Sequence, residues 1–254
     1  MTGLLNVRNK DRLMLYDVGR IDKFYNGERG QIVAKLLRKD LSDIWRLSKT
    51  GTNLAVGFPF YFFPEDSVCP VLMPTEIGGM AWVHEQEIYS AIIDSNSWPL
   101  ESDSMDSIFI THALEFIPNQ NSFLLEAGRV LKSAGKLIIM VPHRGGLWSR
   151  AETTPFGHGT PFSKGQIFSL LKNTGLRLEK CTSSLFLPPF ADKLPKTVSN
   201  QIEFVGEHLL QLLGGVLIVE ATKMVYAEPK KNRATKKARL FAPVKSQSAY
   251  SSTE

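Results

Sequence analysis

The stretch between Ser107 and Pro142 limits the fold more than any other part of the chain. It runs from one apolar segment through an amphipathic helix into a second apolar segment. "KLIIMVP", ending at Pro142, is the strongest strand signal present, and its proline stops the ladder because it has no N–H to donate. Ahead of it, "NSFLLEAGRVLKSAGK" puts Phe123, Leu124, Ala127, Val130 and Leu131 on one helical face, with Gly135 expected as the C-terminal stop. The segment from Ser107 to Thr111 reads as the strand before that helix. Strands that are apolar throughout, rather than alternating, are buried on both faces, which is the signature of a parallel sheet covered by helices.

The rest of the chain repeats this alternation. Asp22 to Ser48 reads as an amphipathic helix, with a break expected near Asp40. "GTNLAVGF" gives a short buried strand ending at Gly57 and Pro59. Val68 to Met73, closed by Pro74, gives a second, and Ile88 to Ile93, stopping at Asp94, a third. Beyond Pro142 come a glycine-rich loop and a helix over Lys164 to Asn173, capped by Ser163. A strand over Leu176 to Ser184, a helical run over Val198 to Leu213 and a last strand within "GGVLIVEATKMVYA" complete the order. This pattern predicts an α/β fold: a Rossmann-like, doubly wound, mostly parallel sheet with helices on both faces. Residues 1–50 are expected as a helical segment packed on the core, 51–228 as the α/β domain and 229–254 as a tail.

Charge separates the tail from the rest. The whole chain of 254 residues has a net charge of +5, but "PKKNRATKKARLFAPVKSQSAYSSTE" holds seven Lys or Arg and one Glu. The first 228 residues are left with 23 basic and 24 acidic side chains, so the folded part is not basic; no recognition helix or basic face stands out in it, and there is no reason to expect DNA readout. The tail reads as a solvated, disordered extension, open to weak, salt-sensitive contact with RNA or acidic surfaces. The two cysteines, Cys69 and Cys181, lie far apart without partner cysteines or histidines, so no disulfide framework or metal cluster is indicated and both read as buried, reduced thiols. With no transmembrane-length apolar segment and no signal-like N-terminus, a cytoplasmic protein is expected.

In a doubly wound sheet the ligand lies beyond the carboxyl ends of the strands. That singles out Gly57, Pro74, Asp94, Thr111 with His112, and Pro142 with His143. The text "IIDSNSWPLESDSMDSIFITHALEFIPNQNSFLLEAGRVLKSAGKLIIMVPHRGG" resembles the class I S-adenosylmethionine-dependent methyltransferases, in particular the methyltransferase type 11 group. The features that carry this are an acid ending the third strand, the "WPLESDSMD" link, the "ALEF" turn and "AGRVLKSAGKLIIMVP". The resemblance covers roughly Thr52 to Cys181. It implies the class I methyltransferase fold, S-adenosylmethionine as methyl donor and an unidentified methyl acceptor. It also implies cofactor contacts at Gly57, Phe58, Asp94, Ser95, Thr111 and His112.

The sequence departs from that family at two of its three cofactor grips. The glycine-rich turn after the first strand is "LAVGFPF" here, with Phe58, Pro59 and Phe60 where glycines are usual, and the acid after the second strand is replaced by Met73, Pro74 and Thr75, with Glu76 displaced beyond them. The third grip, Asp94 with Ser95, is retained, although an Asp at a strand end also serves as a local turn residue. Methyl transfer is an in-line displacement, needing alignment and, for a hydroxyl or amine acceptor, a base. His112, His143 and His158 are the candidates, each also explicable as a hydrogen-bonded structural residue, and His158 in "PFGHGTPF" could ride on a lid. Glu115 reads as the first turn of a helix. Trp82, Trp98 and Trp148 read as packing residues, with Trp148 beside Arg150 open to acceptor contact. Two functions stay open: a methyltransferase, favoured by Asp94 and the glycine-rich loop, and a non-catalytic protein of the same fold acting as a binding or scaffolding partner, favoured by the altered turn. No G-x-G-x-x-G follows a strand, which argues against a nicotinamide dehydrogenase.

Overall fold

The computed structural model describes residues 17–42, 44, 51–63, 68–190 and 214–224. The expected helix over 198–213 and the tail from 229 lie outside the described residues. Four helices are described: α1 (Val18–Asn26), α2 (Glu28–Ser42), α3 (Gln120–Val130) and α4 (Lys164–Asn173). The strands are β1 (Asn53–Gly57), β2 (Val71–Pro74), β3 (Val83–His84), β4 (Glu87–Ile88), β5 (Ser90–Ile93), β6 (Met105–Thr111), β7 (Leu131–Pro142), β8 (Leu176–Ser184) and β9 (Val216–Lys223).

Seven strands form one sheet in the order β5-β2-β1-β6-β7-β9-β8, while β3 and β4 make a separate small hairpin. The pairs along β5, β2, β1, β6 and β7 are parallel, and β9 alone runs against its neighbours. Alternation of side chains along each strand divides the core in two. Ala55, Phe109, Ile138 and Met140 face a cluster with α1 and α2, whereas Leu54, Val56, Ile108, Ile110, Leu137 and Ile139 face a cluster with α3 and α4. The inner strands β1, β2, β6, β7 and β9 are thus buried on both sides over most of their length, whereas the edge strands β5 and β8 leave part of one face exposed. From β1 the chain proceeds to β2 and β5 on one side, then returns to β6 and β7 on the other. The strand order therefore reverses between β1 and β6, which opens a crevice at their carboxyl ends.

Several element boundaries differ from those expected. The helical stretch is interrupted at Gly27, and its second helix ends at Ser42, close to the break expected near Asp40; Gly30 lets the two helices meet, since a Cβ there would lie 2.0 Å from Phe24 O. Asp40 stays within α2, where its carboxylate accepts from Ser184 Oγ. The third strand begins at Ser90, because Ile88 is taken into the hairpin. Helix α3 stops at Val130, not at Gly135. The carbonyls of Arg129 and Val130 accept from the N–H groups of Asp103 and Ser104, and Leu131 already pairs with Met105 in the sheet. Gly135 falls inside β7, next to Ala134 in the left-handed region at φ 61°, where the register slips before Ser107 pairs with Lys136. Helix α4 begins as expected, with a full capping box between Ser163 and Gln166.

Candidate active site

The crevice is built around Gly57 and Thr111, which pair at the ends of β1 and β6. Gly57 has φ 97°, and a Cβ there would lie 2.0 Å from Thr111 O and 2.9 Å from Ala113 Cβ. The glycine is therefore required by the approach of the two strand ends themselves, irrespective of any ligand. Phe58 N–H donates to Thr111 O at 2.9 Å, so the first donor of the turn is spent within the protein. The Phe58 side chain is fully buried and joins an aromatic cluster with Tyr25, Phe60 and Tyr61, at ring separations of 6.4, 4.9 and 6.0 Å. Tyr61 Oη donates to Asp22 Oδ1 at 2.9 Å, tying α1 to the turn; burial, and then the Asp22 carboxylate, push this phenol up to about 12.

On the β5 side of the crevice, the ends of β2 and β5 bring Glu76 and Ser95 together. Ser95 Oγ donates to Glu76 Oε1 at 2.6 Å, and Thr75 N–H donates to Ile93 O at 3.0 Å, fixing the two strand ends against each other. Glu76, two residues beyond the end of β2, is thus the acid that stands at these strand ends. Asp94 is exposed, and its Oδ1 accepts from the Asn96 backbone N–H at 2.7 Å and from Asn96 Nδ2 at 3.3 Å. That is the local turn role, and it engages one carboxylate oxygen.

His112 follows Thr111 and is buried at φ 48°, in the left-handed region uncommon for side chains other than glycine. Its Nε2 lies 2.7 Å from Tyr25 Oη, and its Nδ1 lies 3.4 Å from Glu115 Oε1. Glu115 does not open a helix as expected. Helix α3 starts at Gln120 behind the Asn119 cap, and Glu115 sits in the preceding turn, 1% exposed. Among the described residues, both Glu115 carboxylate oxygens, His112 Nδ1 and Thr111 Oγ1 are buried without a hydrogen bond. Such groups are uncommon and costly in a native fold.

The loop of "PFGHGTPF" closes over this turn. Thr160 N–H donates to Glu115 O at 2.7 Å, Phe156 packs 5.2 Å from the His112 ring, and Gly159 at φ 71° presses against Glu115 O. His158 lies in this loop, donating from Nε2 to Glu152 O at 2.7 Å. His143 is held at the end of β7, where its Nδ1 donates to Gly214 O at 2.9 Å and its backbone N–H to Gly215 O at 2.9 Å. The structure therefore gathers Gly57, Phe58, Thr111 and His112 in one place and Asp94 with Ser95 in another, while His143 and His158 are engaged by backbone carbonyls. Trp98 and Trp148 are buried, the latter donating to Leu187 O at 2.6 Å, and Trp82 stacks on Phe60. Tyr25, and Glu115 as a buried carboxyl beside His112, are the site residues that reading along the chain did not bring out, whereas the sequence marks Glu76 only as a displaced acid. Cys69 is buried, which pushes its thiol up to about 12; Cys181 is half-buried. No group of His, Cys, Asp or Glu suited to a metal ion occurs among the described residues, and none of their helices is long and apolar enough to cross a membrane.

Comparison with known proteins bears on the fold. Residues 81–139, less than a quarter of the chain, match the family described as a methyltransferase domain. No curated protein matches the chain in sequence. Among solved structures, an S-adenosylmethionine-dependent methyltransferase of Thermotoga maritima shares 15% identity over 82% of this chain and 96% of its own, with a TM-score of 0.58. A Haloferax volcanii protein described as a methyltransferase, solved in complex with the Trm112 methyltransferase activator, shares 12% identity over 82% of this chain and 98% of its own, with a TM-score of 0.56. The [4+2]-cyclase SpnF shares 16% over 76% and 82%, with a TM-score of 0.50. Identities this low establish the fold, and the cyclase is a reminder that a fold by itself does not fix the chemistry. The strand order and the antiparallel strand β9 give the chain the class I fold of the S-adenosylmethionine-dependent methyltransferases, and residues 81–139 match the methyltransferase-domain family within it.

Proposed function

We propose that the chain is an S-adenosylmethionine-dependent methyltransferase that holds its donor along the carboxyl edge of β5, β2, β1 and β6 and moves the methyl group to an acceptor beside His112. The observation that carries this reading is the meeting of Glu76 and Ser95 at 2.6 Å from separate strand ends, which restores an acid beside the crevice although the usual position has none. Glu76 suits the two ribose hydroxyls, and Asp94 with Ser95 suits the adenine edge. At the methionine end the fit is narrower. Phe58 N–H is already used on Thr111 O, and Thr111 Oγ1 is the buried polar atom left to meet the ligand. When bound, the donor supplies an electrophilic methyl carbon on a sulfonium. The protein's part is to align the acceptor, exclude water with the aromatic cluster and the loop over His112, and accept a proton at His112. The reading places the protein in the cytoplasm.

Calorimetric titration with S-adenosylmethionine and S-adenosylhomocysteine tests the proposal, supported by thermal unfolding with each ligand, since a ligand of the native state raises its apparent stability. Saturable heat and a raised Tm with both are expected. Absence of either at millimolar ligand would overturn the reading and leave the non-catalytic alternative.

A further inference from the structure

Glu115 poses a question that methyl transfer through His112 alone does not answer. A carboxyl group 1% exposed, with neither oxygen hydrogen-bonded among the described residues, costs the fold stability, and an apolar side chain of similar size would serve packing better. His112 Nδ1 lies 3.4 Å from its Oε1. The other ring nitrogen of that histidine lies 2.7 Å from Tyr25 Oη, which arrives from α1, 87 residues away in sequence. Three buried titratable groups thus stand in line at the end of β6.

Resting on the methyltransferase reading, we propose that Tyr25, His112 and Glu115 form a proton relay serving an acceptor that carries a removable proton, a hydroxyl or an amine. A carboxylate facing Nδ1 keeps the proton on that nitrogen, which leaves Nε2 free to accept from the Tyr25 hydroxyl. In the reaction the acceptor's lone pair forms the new bond to the methyl carbon, and the electrons of the broken C–S bond remain on sulfur. The acceptor's proton passes to Tyr25 Oη as the tyrosine's own proton moves to His112 Nε2, and the imidazolium is stabilised by Glu115. Tyr25 touches the acceptor, while Glu115 is a positioning residue acting through His112. The relay lies under Phe156 and the Thr160 contact to Glu115 O, so the acceptor gains access when that loop lifts.

The test needs neither donor nor acceptor. In the full-length protein labelled with 15N-histidine, with His112 assigned by the loss of its signals in His112→Asn, long-range 1H–15N correlation reads the ring tautomer. The Nδ1–H form is expected, and the Nε2–H form in the wild type would overturn the proposal. In Tyr25→Phe the Nε2 resonance should move downfield as its hydrogen bond is lost, and an unmoved resonance would remove Tyr25 from the relay. Glu115→Leu should keep or raise the Tm yet shift the ring toward Nε2–H. If that variant does not fold, Glu115 is needed for the fold in its own right and the argument from its cost fails. Failure of the donor titration with the Nδ1–H tautomer intact would instead count against the methyltransferase reading alone.

Discussion

Gly57 shows how a single residue can serve the fold before it serves a ligand. Its positive φ and the 2.0 Å approach of a Cβ to Thr111 O make Gly57→Ala costly; a loss of about 2–3 kcal/mol is expected in urea unfolding. Glu76 and Asp94 have the opposite character, contributing little to packing and much to the proposed donor site. Asp94→Ala and Glu76→Ala should each weaken S-adenosylhomocysteine binding by about tenfold or more in calorimetry while leaving the Tm nearly unchanged. The sequence identified Asp94 because a strand-end acid is a local signal. It marked Glu76 only as a displaced substitute, since the hydrogen bond that brings it to Ser95 joins two separate strand ends. Tyr25 was hidden for the same reason: in the text of α1 it is one more aromatic on an apolar face, and its partner is far away along the chain.

Among the elements, the edge opposite the crevice is held by Asp106 at the start of β6. Lys132 Nζ lies 2.8 Å from Asp106 Oδ2, which also accepts from the Thr52 backbone N–H and hydroxyl, each at 2.8 Å, joining β1, β6 and β7. The Lys132 hydrogen bond, then those from Thr52, lower this carboxyl to about 2. Because the folded value lies below the unfolded one of about 3.9, the stabilisation is present above that pH and is lost as pH falls toward 2. Asp106→Asn should therefore flatten the acid limb of stability between about pH 4 and pH 2, less so at high salt because the group is exposed. Periodicity located the elements themselves well. It misplaced an end where tertiary hydrogen bonds override local signals, at Val130, whose carbonyl and that of Arg129 are taken by Asp103 and Ser104.

For the whole molecule, the doubly wound sheet was legible because its inner strands are apolar on both faces, and the two core clusters show why they must be. The crevice between β1 and β6 follows from that order, but its lining does not, since Phe58 and its aromatic neighbours converge from α1, the β1 turn and the loop over His112. The basic tail stands apart in charge, and deleting residues 229–254 should leave the affinity for S-adenosylhomocysteine within about twofold of the full chain, measured by calorimetry at several salt concentrations. The central claim is that this fold, with its altered turn, still holds the methyl donor. The titration of the full-length chain with S-adenosylmethionine tests it most directly: saturable one-to-one binding, weakened by Glu76→Ala, is predicted, and no heat at millimolar ligand from a folded protein would contradict it.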